Sequence, residues 1–135
     1  MLVVEDNFFS LAAVVNLLEQ YGLESDNATD GREAYEMVKE KFDKVGKTYK
    51  LILMDVYMPI CDGFKSLELI RAFYKDLGKQ GITVEKLPYV CFLTAHLQTV
   101  QMDAAGVEGI DCILQKPIFK PGIQQLLSKA EMFYD

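Results

Sequence analysis

Basic charge is scarce in this chain of 135 residues: 14 lysines and arginines face 20 aspartates and glutamates, a net charge of −6. Nucleic acid and anionic membrane both require a basic patch, so this deficit argues against either as a contact of the domain. Long apolar runs are missing as well. No stretch approaches the roughly 20 residues that cross a bilayer, and no signal-peptide pattern opens the chain. Cysteine is sparse, and Cys61, Cys91 and Cys112 have neither metal-ligand nor redox spacing. Cys91 and Cys112 lie in apolar runs and read as small core residues, so a reducing compartment is expected: the cytoplasm, including the cytoplasmic part of a membrane kinase, or the nucleus. The one histidine, His96, reads as a loop residue rather than a ligand or a general base.

What is present is an ordinary globular composition, 50% hydrophobic and 25% charged, at a length that suits one domain with a real core. Short β-type apolar runs alternate with stretches of helical period. Strands are expected at Met1–Val4, weakly at Leu23–Ala28, and at Leu51–Met54, Tyr89–Leu93 and Ile110–Leu114. Between them, Leu11, Val14, Val15, Leu18 and Tyr21 stripe one helix, which Gly22 ends. Asp30 with Glu33 resembles a capping box that opens a second helix, with Ala34, Met37, Val38 and Phe42 inward. Leu67, Ile70, Tyr74 and Leu77 stripe a third helix after Asp62-Gly63, and residues 97–106 form a short fourth. Ile123, Leu126, Leu127, Ala130 and Phe133 stripe the last. The later strands are almost continuously apolar, as in sheets covered by helices on both faces, and the pattern predicts a doubly wound parallel α/β domain.

In such a sheet the carboxyl ends of the strands lie along one edge, where open α/β folds place their sites. Glu5-Asp6 follows the first strand, Asp55 the third, Leu93-Thr94-Ala95 ends the fourth, and Lys116-Pro117 follows the fifth. Three carboxylates, a hydroxyl and an ammonium on one edge suit a divalent cation and a phosphoryl group better than an organic substrate. Carboxylates form aspartyl phosphates, and converging acids repel unless a cation intervenes. Mg²⁺ takes oxygen ligands and keeps waters and phosphate oxygens.

With these residues in this order, the chain resembles the response-regulator receiver domain of two-component and phosphorelay signalling. The likeness spans residues 1–135 as one receiver domain. It rests on Leu2-Val-Val-Glu-Asp-Asn7, Leu53-Met-Asp-Val-Tyr-Met-Pro59 with Asp62-Gly63, Leu93-Thr-Ala95 and Lys116-Pro117. The resemblance implies a flavodoxin-like five-stranded sheet in the order 2-1-3-4-5. It also implies an intracellular phosphoacceptor that takes a phosphoryl group from a phosphohistidine donor and assists its own transfer and dephosphorylation, rather than a conventional turnover enzyme. Asp55 is then the acceptor. Asp6, Asp55 and the Tyr57 backbone carbonyl hold Mg²⁺ (or Mn²⁺), with Glu5 bound directly or through water. Lys116, the Thr94 hydroxyl and the Ala95 amide face the phosphoryl oxygens, and the Lys116-Pro117 bond is cis. The implied partner is a histidine kinase or a histidine phosphotransfer protein, with the domain itself a monomer or weak dimer.

The chain departs from the family at Ile113, where an aromatic residue usually stands three positions before the lysine. Its connections at 43–50 and 78–87 are longer than a compact receiver needs and resemble receivers attached to hybrid histidine kinases. The first strand begins almost at Met1, as expected of a domain excised from a longer protein. Three other functions share parts of this pattern. A haloacid-dehalogenase-type phosphatase needs its nucleophile after the first strand and an acid two residues on, where Tyr57 stands. A flavodoxin-type carrier needs a hydroxyl- and glycine-rich loop where this chain has Glu-Asp-Asn-Phe-Phe. The runner-up is a receiver-like interaction module that works without phosphorylation.

Overall fold

The computed structural model describes residues 1–84 and 86–132. Strands β1 (Leu2–Val4), β2 (Asp26–Ala28), β3 (Leu51–Asp55), β4 (Tyr89–Thr94) and β5 (Cys112–Gln115) alternate with helices α1 (Phe8–Glu19), α2 (Gly31–Val45), α3 (Gly63–Lys79), α4 (Leu97–Ala104) and α5 (Lys120–Lys129). All strand pairs are parallel, and the order is β2-β1-β3-β4-β5. This is the doubly wound sheet expected from the alternating pattern. Phe133, expected on the last helix, lies outside the described residues.

Alternation along the strands divides the core into two layers, because successive strand side chains point to opposite faces. Leu2, Val4, Ile52, Met54, Val90 and Phe92 meet Ala34, Val38, Leu67, Ile70 and Val100 from α2, α3 and α4. Val3, Leu51, Leu53, Cys91 and Leu93 meet Val14, Leu18, Ile123, Leu126 and Leu127 from α1 and α5. Full burial of a large aliphatic side chain contributes about 1.5–3 kcal/mol, so the three central strands, apolar on both faces, anchor the domain. Ile113 pairs with Phe92 across β4 and β5 and packs half-buried against the first layer.

Several element ends differ from the sequence expectation. Strand β2 is shorter than Leu23–Ala28, because β1, its only partner among the described residues, offers three residues of ladder, from Leu2↔Asp26 to Val4↔Ala28. Strand β5 starts at Cys112 instead of Ile110. The Asp111 carboxylate accepts the Val90 N–H at 2.8 Å, a bond made by a side chain before the ladder begins. At α2, Asp30 does cap the Arg32 and Glu33 amides at 2.7 and 2.9 Å. Glu33 does not close the reciprocal box. Its carboxylate turns to Thr29 instead, accepting the hydroxyl at 2.7 Å and the N–H at 3.3 Å, because that neighbour offers two donors at once.

Candidate functional site

Every strand delivers its last residues to one edge, and the register between neighbouring strands determines which residues arrive level there. Val4 pairs with Met54, so Glu5 and Asp55 come level at the ends of adjacent strands. Leu93 pairs with Asp55 and Thr94 with Gln115, which sets Thr94 beside Asp55 and Lys116 just beyond the ladder. The bond between Lys116 and Pro117 is cis.

Carboxylate oxygens of Glu5, Asp6 and Asp55 all lie within 4.8 Å of one another. Glu5 is 2% exposed and Asp55 8%, whereas Asp6 is open to solvent. Buried like charges at this distance need compensation, and Lys116 supplies it. Its ammonium donates to Glu5 Oε2 and stands 3.4 Å from Asp55 Oδ1. The other oxygen of Glu5 accepts the Asn7 N–H at 3.1 Å. Burial pushes the carboxyls of both Glu5 and Asp55 above their ordinary range, with Lys116 pulling each back. The donor set fits a hard divalent cation. Carboxylate oxygens are the ligands such an ion takes, and Glu5, Asp6 and Asp55 would supply them.

Thr94 is almost fully buried, and its hydroxyl oxygen accepts the His96 N–H at 2.9 Å. That leaves the hydroxyl hydrogen available to an acceptor at the edge. Ala95 follows in an exposed bend. Tyr57 directs its ring to the surface, edge-on to His96 with centroids 6.1 Å apart. His96 is therefore in the loop position expected of it, beside the site and outside the acid cluster.

Asp62-Gly63 marks the β3–α3 loop in the sequence, but the contacts that hold this loop in place emerge only from the packed structure. Gly63 begins α3 so close to β3 that a Cβ there would lie 2.9 Å from the Asp55 carbonyl oxygen. Its N–H donates to the Val56 carbonyl at 2.7 Å. Gly31 does the same for α2, with a virtual Cβ 2.5 Å from the Cys61 carbonyl oxygen. Ser66, a buried polar residue within the apolar stripe of α3, donates from its hydroxyl to the Gly31 carbonyl at 2.7 Å. Its place in the stripe was the available signal. Ile60 was missed from the sequence. It is 85% exposed and holds a φ of 70°, a left-handed conformation that strains a β-branched residue. Phe8 and Phe9, in the first turn of α1, and Phe119, at the end of the β5–α5 connection, are also mostly exposed.

Comparison with known proteins agrees with this geometry. The profile of the family described as response regulator receiver domain matches residues 1–128. The osmosensing histidine protein kinase SLN1 of Saccharomyces cerevisiae is 35% identical over 130 residues, covering 96% of this chain and 10% of that kinase. The hybrid signal transduction histidine kinase K of Dictyostelium discoideum is 29% identical over 132 residues, again 10% of its length. The chain thus spans about a tenth of the curated relatives it matches. Among solved structures, the complex of the S. cerevisiae histidine phosphotransfer protein Ypd1 with the receiver domain of its downstream response regulator Ssk1 aligns with a TM-score of 0.79. That match is 26% identical and covers 95% of this chain and 85% of the other.

Proposed function

The chain belongs to the response regulator receiver domain family, and on that premise we propose that Asp55 is the residue it phosphorylates. It is a phosphoacceptor domain of two-component phosphorelay signalling, similar to the receiver regions of hybrid histidine kinases. The observation that carries the assignment to Asp55 is its convergence with Glu5, Asp6 and Lys116 at one strand edge. Phosphoryl transfer asks mainly for positioning and charge stabilisation, and this set supplies both.

In this reading Asp6, Asp55 and the Tyr57 backbone carbonyl hold Mg²⁺, with Glu5 direct or through water, and Mn²⁺ substitutes for it. The metal, when bound, neutralises charge between acceptor and donor. Asp55 attacks the phosphorus as the nucleophile, and the P–N bond to the donor histidine breaks, with the imidazole leaving. Lys116 exchanges its contact with Glu5 for one with a phosphoryl oxygen, and the Thr94 hydroxyl and Ala95 amide donate to the others. Residues 1–135 act as one receiver domain, working in the cytoplasm as a monomer or weak dimer. No helix among the described residues is long and apolar enough to cross a membrane.

The donor partner is a histidine phosphotransfer protein or a histidine kinase. The complex formed by the structurally similar Ssk1 receiver supports the first. Phe8, Phe9, Ile60 and Phe119 would meet that partner. Exposed aromatic and aliphatic side chains around a charged site give a docking surface its apolar area while leaving the acids accessible.

Incubation with acetyl phosphate and Mg²⁺, followed by intact-mass measurement, tests the assignment. One phosphoryl group is expected on the wild type and none on Asp55→Asn. Full labelling of Asp55→Asn would show that another residue is the acceptor. Absence of labelling in the wild type, with normal binding to a phosphotransfer protein, would favour an interaction module that works without phosphorylation.

A further inference from the structure

The sequence spacing of Cys91 and Cys112 hides a relationship that the sheet creates. The two are register partners on adjacent strands, β4 and β5. Both side chains enter the core layer under α1 and α5. We propose that Cys91 and Cys112 form a dithiol that hydroperoxides oxidise to a disulfide, with Cys112 attacking first and Cys91 resolving.

The separation permits the bond. Neighbouring strands lie about 4.8 Å apart, within the roughly 4.4–6.8 Å between Cα atoms that disulfides bridge. The two cysteines differ in access and in acidity. Cys91 is fully buried, whereas Cys112 is partly exposed, so a small oxidant reaches Cys112 first. The neighbouring Cys91 thiol, whose Sγ–H donates to the Phe92 carbonyl at 3.7 Å, brings the Cys112 thiol below its ordinary value, with help from the Lys129 ammonium at the end of α5 and against the pull of burial and Asp111. Proximity to Cys112, together with burial, pushes the Cys91 thiol up. A thiolate with an adjacent thiol is the arrangement that favours oxidation followed by resolution. Cys61 provides an internal contrast. It is buried in the β3–α3 loop, and burial together with Asp62 and Asp30 pushes its thiol up.

The chemistry balances with a hydroperoxide as the oxidant. The Cys112 thiolate attacks the terminal peroxide oxygen, the O–O bond breaks, and an alkoxide or hydroxide leaves with the electron pair. Cys112 becomes a sulfenic acid. The Cys91 sulfur then attacks the Cys112 sulfur, the S–O bond breaks, and the hydroxide leaves as water with the Cys91 proton. The resulting bond would staple β4 to β5 three positions before Thr94 and its partner Gln115, beneath the strand ends that carry Thr94 and Lys116. This proposal is independent of which residue accepts phosphate.

The test is treatment of the purified chain with hydrogen peroxide, followed by alkylation of free thiols and peptide mapping. The wild type is expected to lose two hydrogens in mass and two of its three alkylatable thiols, both restored by dithiothreitol. Cys91→Ala is expected to accumulate a sulfenic acid on Cys112 that dimedone traps. Cys112→Ser is expected to retain its remaining thiols at peroxide doses that convert the wild type. Free Cys91 and Cys112 after treatment, or oxidation of Cys61 ahead of them, would overturn the proposal. So would overoxidation of Cys112 with Cys91 left free. If Cys91→Ala does not fold, the wild-type map alone decides, since only a linked Cys91–Cys112 peptide supports the inference.

Discussion

Lys116 makes its closer contact with Glu5, while the acceptor candidate Asp55 stands 3.4 Å away. The lysine thus serves as the counter-ion of the more buried acid, occupying part of the electrostatic role that a divalent cation would take. Mg²⁺ binding and release of Lys116 from Glu5 are then linked, because two cations beside the same carboxylate repel.

Lys116→Met is therefore expected to tighten Mg²⁺ several-fold in a calorimetric titration. It should also destabilise the metal-free protein by about 3–5 kcal/mol, since it strands a buried carboxylate. Saturating Mg²⁺ should recover most of that loss. Weaker Mg²⁺ binding in Lys116→Met would show that the lysine organises the metal ligands instead of competing with the ion.

The site also gives a pH dependence with a definite sign. Burial raises the carboxyls of Asp55 and Glu5 above their unfolded values, so between those values the folded state holds more protons than the unfolded. Their contribution to stability is present at low pH and declines as pH rises through the folded values. Asp55→Asn, in the presence of a chelator, should stabilise the protein more at about pH 7 than at about pH 4. Denaturant unfolding at the two pH values measures this. A gain that shrinks toward neutrality would contradict it.

Gly63 is the tightest point behind the acceptor. Gly63→Ala places a methyl carbon 2.9 Å from the Asp55 carbonyl oxygen and 3.0 Å from Val56 Cα, both backbone atoms. A loss of about 1–3 kcal/mol is expected from overpacking against unyielding backbone. Phosphorylation by acetyl phosphate should also slow, because the Asp55 carboxylate shifts with its backbone. A thermal melt and a single-turnover labelling assay read the two effects separately.

Ile60 combines strain with exposure, holding a φ of 70° while 85% exposed. Ile60→Gly should stabilise the domain by about 1 kcal/mol through relief of the left-handed strain, offset in part by the greater freedom of glycine in the unfolded chain. If the residue serves docking, transfer from a phosphorylated histidine phosphotransfer protein should slow several-fold while acetyl phosphate labelling stays unchanged. Equal rates from the protein donor would remove Ile60 from the partner surface.

The order of elements, the two-sided apolar strands and the candidate acids were legible in the chain itself. These depend on short-range chemistry: hydrophobic period, caps such as Asp30 and Asp62, and polar residues that end apolar runs. Which residues become neighbours across the sheet was decided by tertiary structure, because register depends on where each strand ends against its partner. Pairing of Val4 with Met54 levels Glu5 with Asp55, and pairing of Cys91 with Cys112 joins two thiols that sequence spacing kept apart. Close approaches at Gly31 and Gly63 are likewise properties of packed backbones, invisible until α2 and α3 lie against the loop that carries Asp55. The choice of Lys116 between two acids belongs to the same class. A side chain with several reachable partners settles by local desolvation, and only the folded edge shows that Glu5 is more deeply buried than Asp55.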